Sequence, residues 1–570
     1  MLKVSVIVPV HNAGPYLDRC SPSLLTQTIG RDAYEIVYVD DGSTDDSPAR
    51  LDRLAARHPH VRVFHQENSG WPGRPRNVGV REARGEYVQF VDQDDELTPD
   101  TLENLHRLAA RNDSDIVLGR IVGTMQGPSH VFKRTVERCT AADAPLFESL
   151  TPHKMFRRAF LLDHGITFPE GRVRLEDQTF MARAYVRAKT VSILSTPCYI
   201  WNRREDGGNS SSSATTPETY YGHLRTVVDA VKEATDPGPL QDRLLRRSYR
   251  VEVLRPVTEP RVLRRKGKAL DRYFTVVRRT ALDCFPPGVR EGMAAIPRLR
   301  ATLLEDGRLE SLVELARRVA AVKPRLTVDG LHWRSGKLHI TTTVDLLRPD
   351  GEPLLLHERA GRLLLDPDLL HGIQGAEHWE VPDPLAYARG ELLTHDPARG
   401  AWWYPDADLT PRTERAGKDR IRVIASGTTV IDPSTLAAGH PLSPGTHLIW
   451  ADAQLLGVGR RTRVPLPDTG RLPMVKAGTP PRLIVPTGTP RDSQLALAVG
   501  APGHTAPHHR LLLRTTTSPH LRRRARALLH HLPPPVRRRA GKAGAEGGPV
   551  EPLRTDPQPR GASEGAPRSL

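Results

Sequence analysis

Three groups of carboxylates in this 570-residue chain stand where chemistry could be done. Asp92, Asp94 and Asp95 form an Asp-x-Asp-Asp run directly after the apolar stretch Tyr87–Val91. Asp40 and Asp41 close a second apolar run, and Glu176-Asp177 opens a stretch with helical periodicity. Carboxylates one residue apart repel and cannot both sit ionised without compensation. A hard divalent cation supplies it, binding carboxylate oxygens while keeping positions open for phosphate oxygens. Taken alone, Asp-x-Asp-Asp also describes a solvated acidic turn. Between the clusters lies a loop rich in glycine, proline and arginine, Glu67 to Arg76.

The elements around these groups place them together. Residues 3–10 (KVSVIVPV) are almost wholly apolar, as a strand buried on both faces must be. Tyr34–Asp40, Val61–His65 and the Tyr87 run read as three further strands. Helical segments lie between them over Tyr16–Thr28, Thr44–Arg57 and Asn77–Ala83, with Pro22 awkward inside the first. Strand and helix alternate four times in about 95 residues, which predicts a parallel, doubly wound α/β sheet. Every acidic or turn motif then falls at the carboxyl ends of strands, the rim where such sheets bind ligands.

Further along, Pro99–Arg111 and His153–Asp163 read as helices, Asp115–Leu118 and Val191–Leu194 as strands, and Tyr199–Ser213 as a polar, serine-rich loop. The predicted organisation is a catalytic α/β domain over 1–216, a helical linker over 217–323 and a β-sandwich region over 324–517. That region is one or two immunoglobulin-like domains, followed by a disordered Arg/Pro-rich tail over 518–570. In the linker, Leu224, Val227, Val228 and Val231 mark one helix face. In the β region Leu338, Ile340, Thr342, Val344 and Leu346 alternate as a half-buried strand does.

A formal charge of +16 suits anionic partners without choosing among them. The widely spaced Cys20, Cys139, Cys198 and Cys284 give neither a disulfide framework nor a zinc signature, which points to a reduced, cytoplasmic setting. No apolar run reaches spanning length, so membrane contact would be peripheral, at the inner face of the plasma membrane. The tail clusters Arg522–Arg524 and Arg537–Arg539 flank leucines and can lie on an anionic membrane or bind a polyanion; they equally describe a solvated, arginine-rich tail. The tail lacks interleaved aromatics for base stacking, which argues against nucleic acid.

Taken in order, VSVIVPVHN, VDDGSTDDS, SGWPGRPRNVGV, FVDQDD and RLEDQTF resemble the family 2 glycosyltransferases, with the nucleotide-sugar-binding GT-A fold, over about residues 1–205. The RPRN loop, the helical linker and the β region are similar to the subset that glycosylates wall teichoic acid, the poly-ribitol-phosphate N-acetylglucosaminyltransferases. The resemblance implies inverting, metal-dependent transfer from a UDP-sugar to a cell-envelope polyol-phosphate, polysaccharide or other glycan, N-acetylglucosamine being the first choice of sugar. It assigns Pro9, Val10, Asn12, Asp41, Asn68, Arg76 and Asp92 to the nucleotide-sugar, Arg76 offering a planar fork to the diphosphate oxygens, and Asp94, with Asp206, to Mn²⁺ or Mg²⁺. Asp177 becomes the base and Glu176 a group that orients a sugar hydroxyl. Asp95 is a supporting residue, Asn209 an alternative metal ligand, and Arg203 or Arg204 a phosphate clamp. The resemblance also implies a β region that binds polymer or joins protomers into a trimer. A transferase for a lipid-linked acceptor and a non-catalytic polyanion-binding assembly protein are the rival readings. His11 before Asn12 and Gln93 between the aspartates depart from the commonest family pattern.

Overall fold

The computed structural model describes residues 2–125, 127–204, 215–376, 378–467, 475–477, 482–489 and 493–500; the predicted tail, Asp206 and Asn209 lie outside the described residues. The first domain carries strands β1 (Val4–Val10), β2 (Tyr34–Asp41), β3 (Val61–Gln66), β4 (Tyr87–Phe90), β5 (Glu96–Leu97), β6 (Ile116–Gly123), β7 (Val136–Cys139), β8 (Met155–Arg157) and β9 (Val191–Trp201). Its helices are α1 (Leu17–Leu25), α2 (Ser47–Arg57), α3 (Gly73–Glu82), α4 (Thr101–Asn112), α5 (Arg158–Asp163) and α6 (Glu176–Arg187).

Strands β3, β2, β1 and β4 pair in parallel in that spatial order. This is the parallel sheet that the alternation over the first 95 residues or so predicts. Strand β8 then inserts antiparallel to both β4 and β6, and β6 pairs in parallel with β9. The predicted helix over His153–Asp163 therefore divides into β8 and α5. Met155 and Phe156 are buried between β4 and β6, so burial in the sheet overrides a local helical pattern. Strand β9 runs on to Trp201, well past the predicted Leu194, because it continues pairing with β6 up to Gly123. Helix α1 accommodates Pro22 within its span.

Alternation along each strand sends side chains to two cores. Val6, Val8, Tyr87 and Val91 pack with Leu17, Cys20 and Leu24 of α1 and with Leu102 and Leu105 of α4. Ile7, Val88 and Phe90 join a second core, in which Phe168 stacks on Phe180 at 3.9 Å and Phe90 meets both edge-on. The second core runs without a break into the linker, whose helices include Pro217–Lys232, Pro239–Ser248, Gly267–Cys284, Ala295–Glu305 and Leu309–Ala321. Tyr249–Leu254 is a π-helical turn between them.

Beyond Lys323 the chain is an antiparallel sandwich among the described residues. One sheet contains Lys323–Arg334, Lys337–Leu347, Arg420–Ile431 and Asp406–Arg415. The other contains Ala401–Trp403, Arg389–Asp396, Gly445–Leu455, Val458–Arg463, Leu495–Val499 and Arg482–Gly488. Leu338, Ile340 and Ile431 from the first interleave with Leu392, Ile449 and Leu497 from the second. The four cysteines are buried and unpaired, and no helix among the described residues is long and apolar enough to cross a membrane.

Helix α3 lies against β1 through a close approach at Gly79, where a Cβ would stand 2.2 Å from Cγ2 of Ile7. Gly79→Val should therefore cost roughly 1–3 kcal/mol of stability through overpacking, read from the midpoint of urea unfolding; an unchanged midpoint would mean that this contact yields freely.

Candidate active site

The guanidinium of Arg76 lies at the centre of the rim. It reaches that position because α3 starts at Gly73, where a Cβ would meet the carbonyl of Pro169 at 2.2 Å and only glycine lets the loop close. Arg76 is buried; Nη2 donates to Asp92 Oδ1 at 2.8 Å and Nη1 to Glu176 Oε1 at 3.5 Å, with the guanidinium 5.2 Å above the Phe168 ring. Burial works against its charge, but Asp92, Glu176 and Asp177 together hold the arginine pKa above its usual value. The fork expected to grip diphosphate is thus committed to the protein's own acids. Its Nε is buried without a hydrogen-bond partner among the described residues.

Asp92 is the shared partner. Its second oxygen accepts from His153 Nε2 at 3.0 Å, and its backbone N–H donates to Tyr199 Oη at 3.0 Å. Burial raises its pKa, yet Arg76 and His153 outweigh that and keep it ionised well below the usual carboxylate range. His153, stacked on Tyr199 at 4.3 Å, is pulled below its ordinary pKa by burial despite Asp92. It is therefore a neutral donor. Asp92 thus has two protein counter-groups, which the spacing argument for a cation did not foresee.

Asp94 is different. No side chain among the described residues donates to its carboxylate, and burial together with Asp92 pushes its pKa up to about 6. Arg204 and Arg19 pull the other way without outweighing them, which leaves an acid fit for a cation ligand. Asp95 is fully buried and accepts from Tyr199 Oη at 2.6 Å and from the Asn202 backbone N–H at 2.7 Å. Asp92, Asp95 and His153 offer ligand atoms within 4.8 Å of one another. Tyr199 and Asn202 already saturate Asp95, and His153 is spent on Asp92, so that trio is a hydrogen-bonded brace under the site.

The other acidic pair sits at the start of α6. Leu175, in the left-handed region at φ 62°, turns the chain so that Glu176 and Asp177 occupy the first turn. Asp177 Oδ1 accepts from the Gln178 N–H at 2.7 Å. A helix N-terminus by itself favours the ionised form of a carboxylate. Burial and the neighbouring Glu176 prevail instead, and the Asp177 pKa is pushed up to about 7, against the pull of Arg76 and Arg247.

The nucleotide-side residues gather at the ends of β1 and β2. Pro9 and Val10 are buried at the end of β1, paired with Val39 and Asp40. Asn12, at φ 47°, accepts from the Thr44 N–H at 2.8 Å and ties the two loops. Asp41 accepts from Ser69 N–H at 3.0 Å, Ser69 Oγ at 2.9 Å and Gln66 Nε2 at 2.5 Å, fixing the turn that carries Asn68. Asn68 Nδ2 lies 3.2 Å from His11 Nδ1. Gln93 brackets the backbone of residue 11: the His11 N–H donates to Gln93 Oε1 at 2.8 Å, and Gln93 Nε2 donates to the His11 carbonyl at 3.0 Å. Arg204 lies 4.5 Å over the Tyr16 ring and donates to the Asn12 carbonyl at 3.5 Å, while the Arg203 N–H donates to Thr124 Oγ1 at 2.7 Å.

Sequence reasoning missed His153, Lys154, Tyr199 and Arg247. Lys154 is fully buried, donates to the Thr151 carbonyl and has its pKa lowered to about 7 by burial, with Asp177 opposing. A lysine buried within a chain segment otherwise read as helix was the signal available. Arg247, from the linker, donates to Gln178 Oε1 at 2.7 Å and to Glu252 at 3.0 Å, and Gln178 Nε2 donates to the same Glu252 oxygen at 3.1 Å. A π-turn carries Glu252, and such turns recur at functional sites.

Residues 5–176 match the family described as Glycosyl transferase family 2, and residues 217–316 match the Glycosyl transferase TarS linker domain. The chain is 35% identical over 235 residues to a poly(ribitol-phosphate) beta-glucosyltransferase of Bacillus spizizenii, covering 40% of this chain and 37% of that protein. It is 30% identical over 239 residues to the poly(ribitol-phosphate) beta-N-acetylglucosaminyltransferase TarP of Staphylococcus aureus, covering 40% of this chain and 72% of that one. The match spans well under half the length of the first of these relatives. Residues 1–349 of S. aureus TarS, solved with UDP-GlcNAc, superpose with a TM-score of 0.53 at 25% identity, over 67% of this chain and 100% of that one.

Removing Arg76 leaves Asp92 and Glu176 buried beside each other without their cation. Arg76→Ala should cost roughly 3–5 kcal/mol, as the loss of one member of a buried ion pair does. With the arginine gone the Asp92 pKa rises, so its protonation relieves the penalty as pH falls. Denaturant unfolding should show a larger loss at pH 8 than at pH 5; a loss independent of pH would mean that packing, not charge, is what Arg76 supplies.

Proposed function

Because this chain belongs to the family 2 glycosyltransferases, we propose that it transfers a sugar with inversion from a UDP-sugar to a polyol-phosphate polymer of the cell envelope. N-acetylglucosamine or glucose is the sugar, and poly(ribitol phosphate) the first acceptor. The observation that carries this reading is Asp177. It is an acid at the rim of a nucleotide-sugar-binding fold, its pKa near neutrality, beside an arginine that locks the neighbouring acids in place. The relatives' names supply the acceptor class and the TarS complex supplies the donor class.

Pro9, Val10, Asp41 and Asn68 border the pocket for the base, with Asp41 held rigid by Ser69 so that an oxygen can face a ring N–H. Asp94, with Asp92 beside it, would hold Mn²⁺ or Mg²⁺, which neutralises charge on the departing nucleoside diphosphate when bound. Arg204, reaching across from the loop after β9 to Asn12, closes the same side. Asp177 accepts the proton of the acceptor hydroxyl as its oxygen forms a bond to the anomeric carbon and the bond to the diphosphate oxygen breaks. Near-neutral basicity suits that task, since a carboxylate at its ordinary pKa would be a weaker base. Glu176 stays fixed by Arg76 and orients a hydroxyl.

Two outcomes test this reading. With UDP-GlcNAc and poly(ribitol phosphate), kcat/KM should rise with pH and level off above about 7 as Asp177 becomes ionised. Asp177→Asn should lower turnover by roughly 10²-fold or more while leaving the calorimetric affinity for UDP unchanged. Full turnover in that variant would remove Asp177 from the role. Asp94→Ala should abolish the Mn²⁺-dependent part of UDP binding, and equal binding with and without chelator in both proteins would dismiss the cation.

A further inference from the structure

Between Arg255 and Arg272 the linker carries seven lysines and arginines against two acids, Glu259 and Asp271. Glu259 is spent elsewhere: it pairs with Arg300 and lies 3.9 Å from Arg460. At the far end Arg272 pairs with Glu218 at 2.9 Å. Among the described residues Arg255, Arg261, Arg264, Lys266 and Lys268 make no ion pair, and all of them are exposed. Local folding holds them together. Arg265 ties the turn Arg255–Val257 to the short helix Arg261–Arg264, its Nη1 donating to the Pro256 carbonyl at 3.3 Å and to the Arg261 carbonyl at 3.4 Å. Val257 and Val262 are buried beneath, so the turn is seated in the linker core. Partial burial and the charges of Arg255, Arg264 and Arg265 lower the Arg261 pKa, with Tyr273 opposing. Like charges held this close repel one another, and an ordinary solvated face intersperses acids among them.

A lipid surface fits these cations. Anionic headgroups present a layer of negative charge rather than a shaped ligand, and each lysine or arginine brought near it adds to binding. Lys266 and Lys268 are compact point charges, which suit such a layer better than they suit bidentate recognition. An extended polyanion of sugars or polyols would call for ring faces among the cations, and the Tyr273 ring is already covered by the Arg265 guanidinium at 3.9 Å. No helix among the described residues is long and apolar enough to cross a bilayer, so the contact made here is peripheral and electrostatic.

We propose that the exposed cations between Arg255 and Lys268 dock the linker on an anionic lipid bilayer. Docking of this kind holds whatever sugar or acceptor the rim serves, so it stands or falls apart from the function proposed above.

The test sediments the full chain with vesicles of phosphatidylcholine alone and with vesicles that also contain phosphatidylglycerol. The unaltered protein should partition onto the second and not the first, and added salt should release it. Arg261→Glu combined with Arg264→Glu and Lys268→Glu should lower that partitioning by roughly 10²-fold or more, each cation near the headgroups contributing about fivefold. Lys266→Gln with Lys268→Gln, on two exposed side chains, should lower it by roughly 20-fold and keeps the test sound should the triple variant disturb folding. Arg522→Glu with Arg523→Glu and Arg524→Glu controls for basic charge in the C-terminal tail and should retain the binding that depends on phosphatidylglycerol. UDP affinity by calorimetry stays unchanged throughout. Equal binding to both kinds of vesicle, binding insensitive to salt, or full partitioning in both linker variants would overturn the docking surface. A loss confined to the tail variant would do the same. Binding to poly(ribitol phosphate) that the linker variants lose, with vesicle binding intact, would make the turn a polymer contact and overturn the lipid assignment likewise.

Discussion

One buried guanidinium governs this site. Arg76 stands between Asp92 and Glu176, with Asp177 near enough to feel its charge, and three separate elements deliver those groups. Leaving several carboxylates together in a low-dielectric rim would cost more than such a small structure can afford, and a single cation with a planar fork resolves most of that repulsion. What it leaves unresolved is selective. Asp92 is held ionised, while Asp94 and Asp177 are driven toward neutral pKa values. One carboxylate is thereby set as a fixed anion while two are left closer to neutrality, although all three began with the same intrinsic chemistry.

The sheet's mixed topology follows from the same need. His153 reaches Asp92 from the segment that leads into β8, and Tyr199 and Asn202 reach Asp95 from β9 and the residue after it. A purely parallel sheet would have brought only loop ends to the rim. The antiparallel insertion of β8 brings His153 in from the opposite direction, and the long β9, running the same way as β4, carries Tyr199 and Asn202 to the rim, so the acids are braced from beneath as well as from the loops.

Much of this was legible in the sequence, for physical reasons that can be named. Continuous apolar runs ending in acids specify buried parallel strands with a charged rim, which is why β1, β2 and β4 fall where the pattern put them. The acids at 92, 94 and 177 stood out through the ordered motifs FVDQDD and RLEDQTF, since the first spacing alone also describes a solvated turn and the second an ordinary helix start. Other features were hidden. Residues 153–157 carry no alternation long enough to mark a strand, so β8 emerges only from burial between β4 and β6. Arg76 has the composition of a ligand clamp, and only the approach of α6 reveals that its fork is occupied. The reciprocal bonds between His11 and Gln93 depend on two residues far apart in the chain, and neither is unusual alone.

The linker is part of the chemistry for a related reason. Helix α6 begins with the acids, and its next residue, Gln178, is gripped by Arg247 and Glu252 of the linker, while Tyr220 Oη donates to Glu252 at 2.5 Å. Arg247 contributes charge to Asp177 as well as a hydrogen bond to its neighbour. Asp177 therefore feels one arginine from the first domain and another from the linker. With the second hydrophobic core running unbroken across the boundary, the linker cannot rotate away without unsupporting the first turn of α6. Separating the two regions would expose that shared core and withdraw Arg247 from Asp177 at the same time, so the linker is a structural part of the acidic rim and more than a spacer to the sandwich.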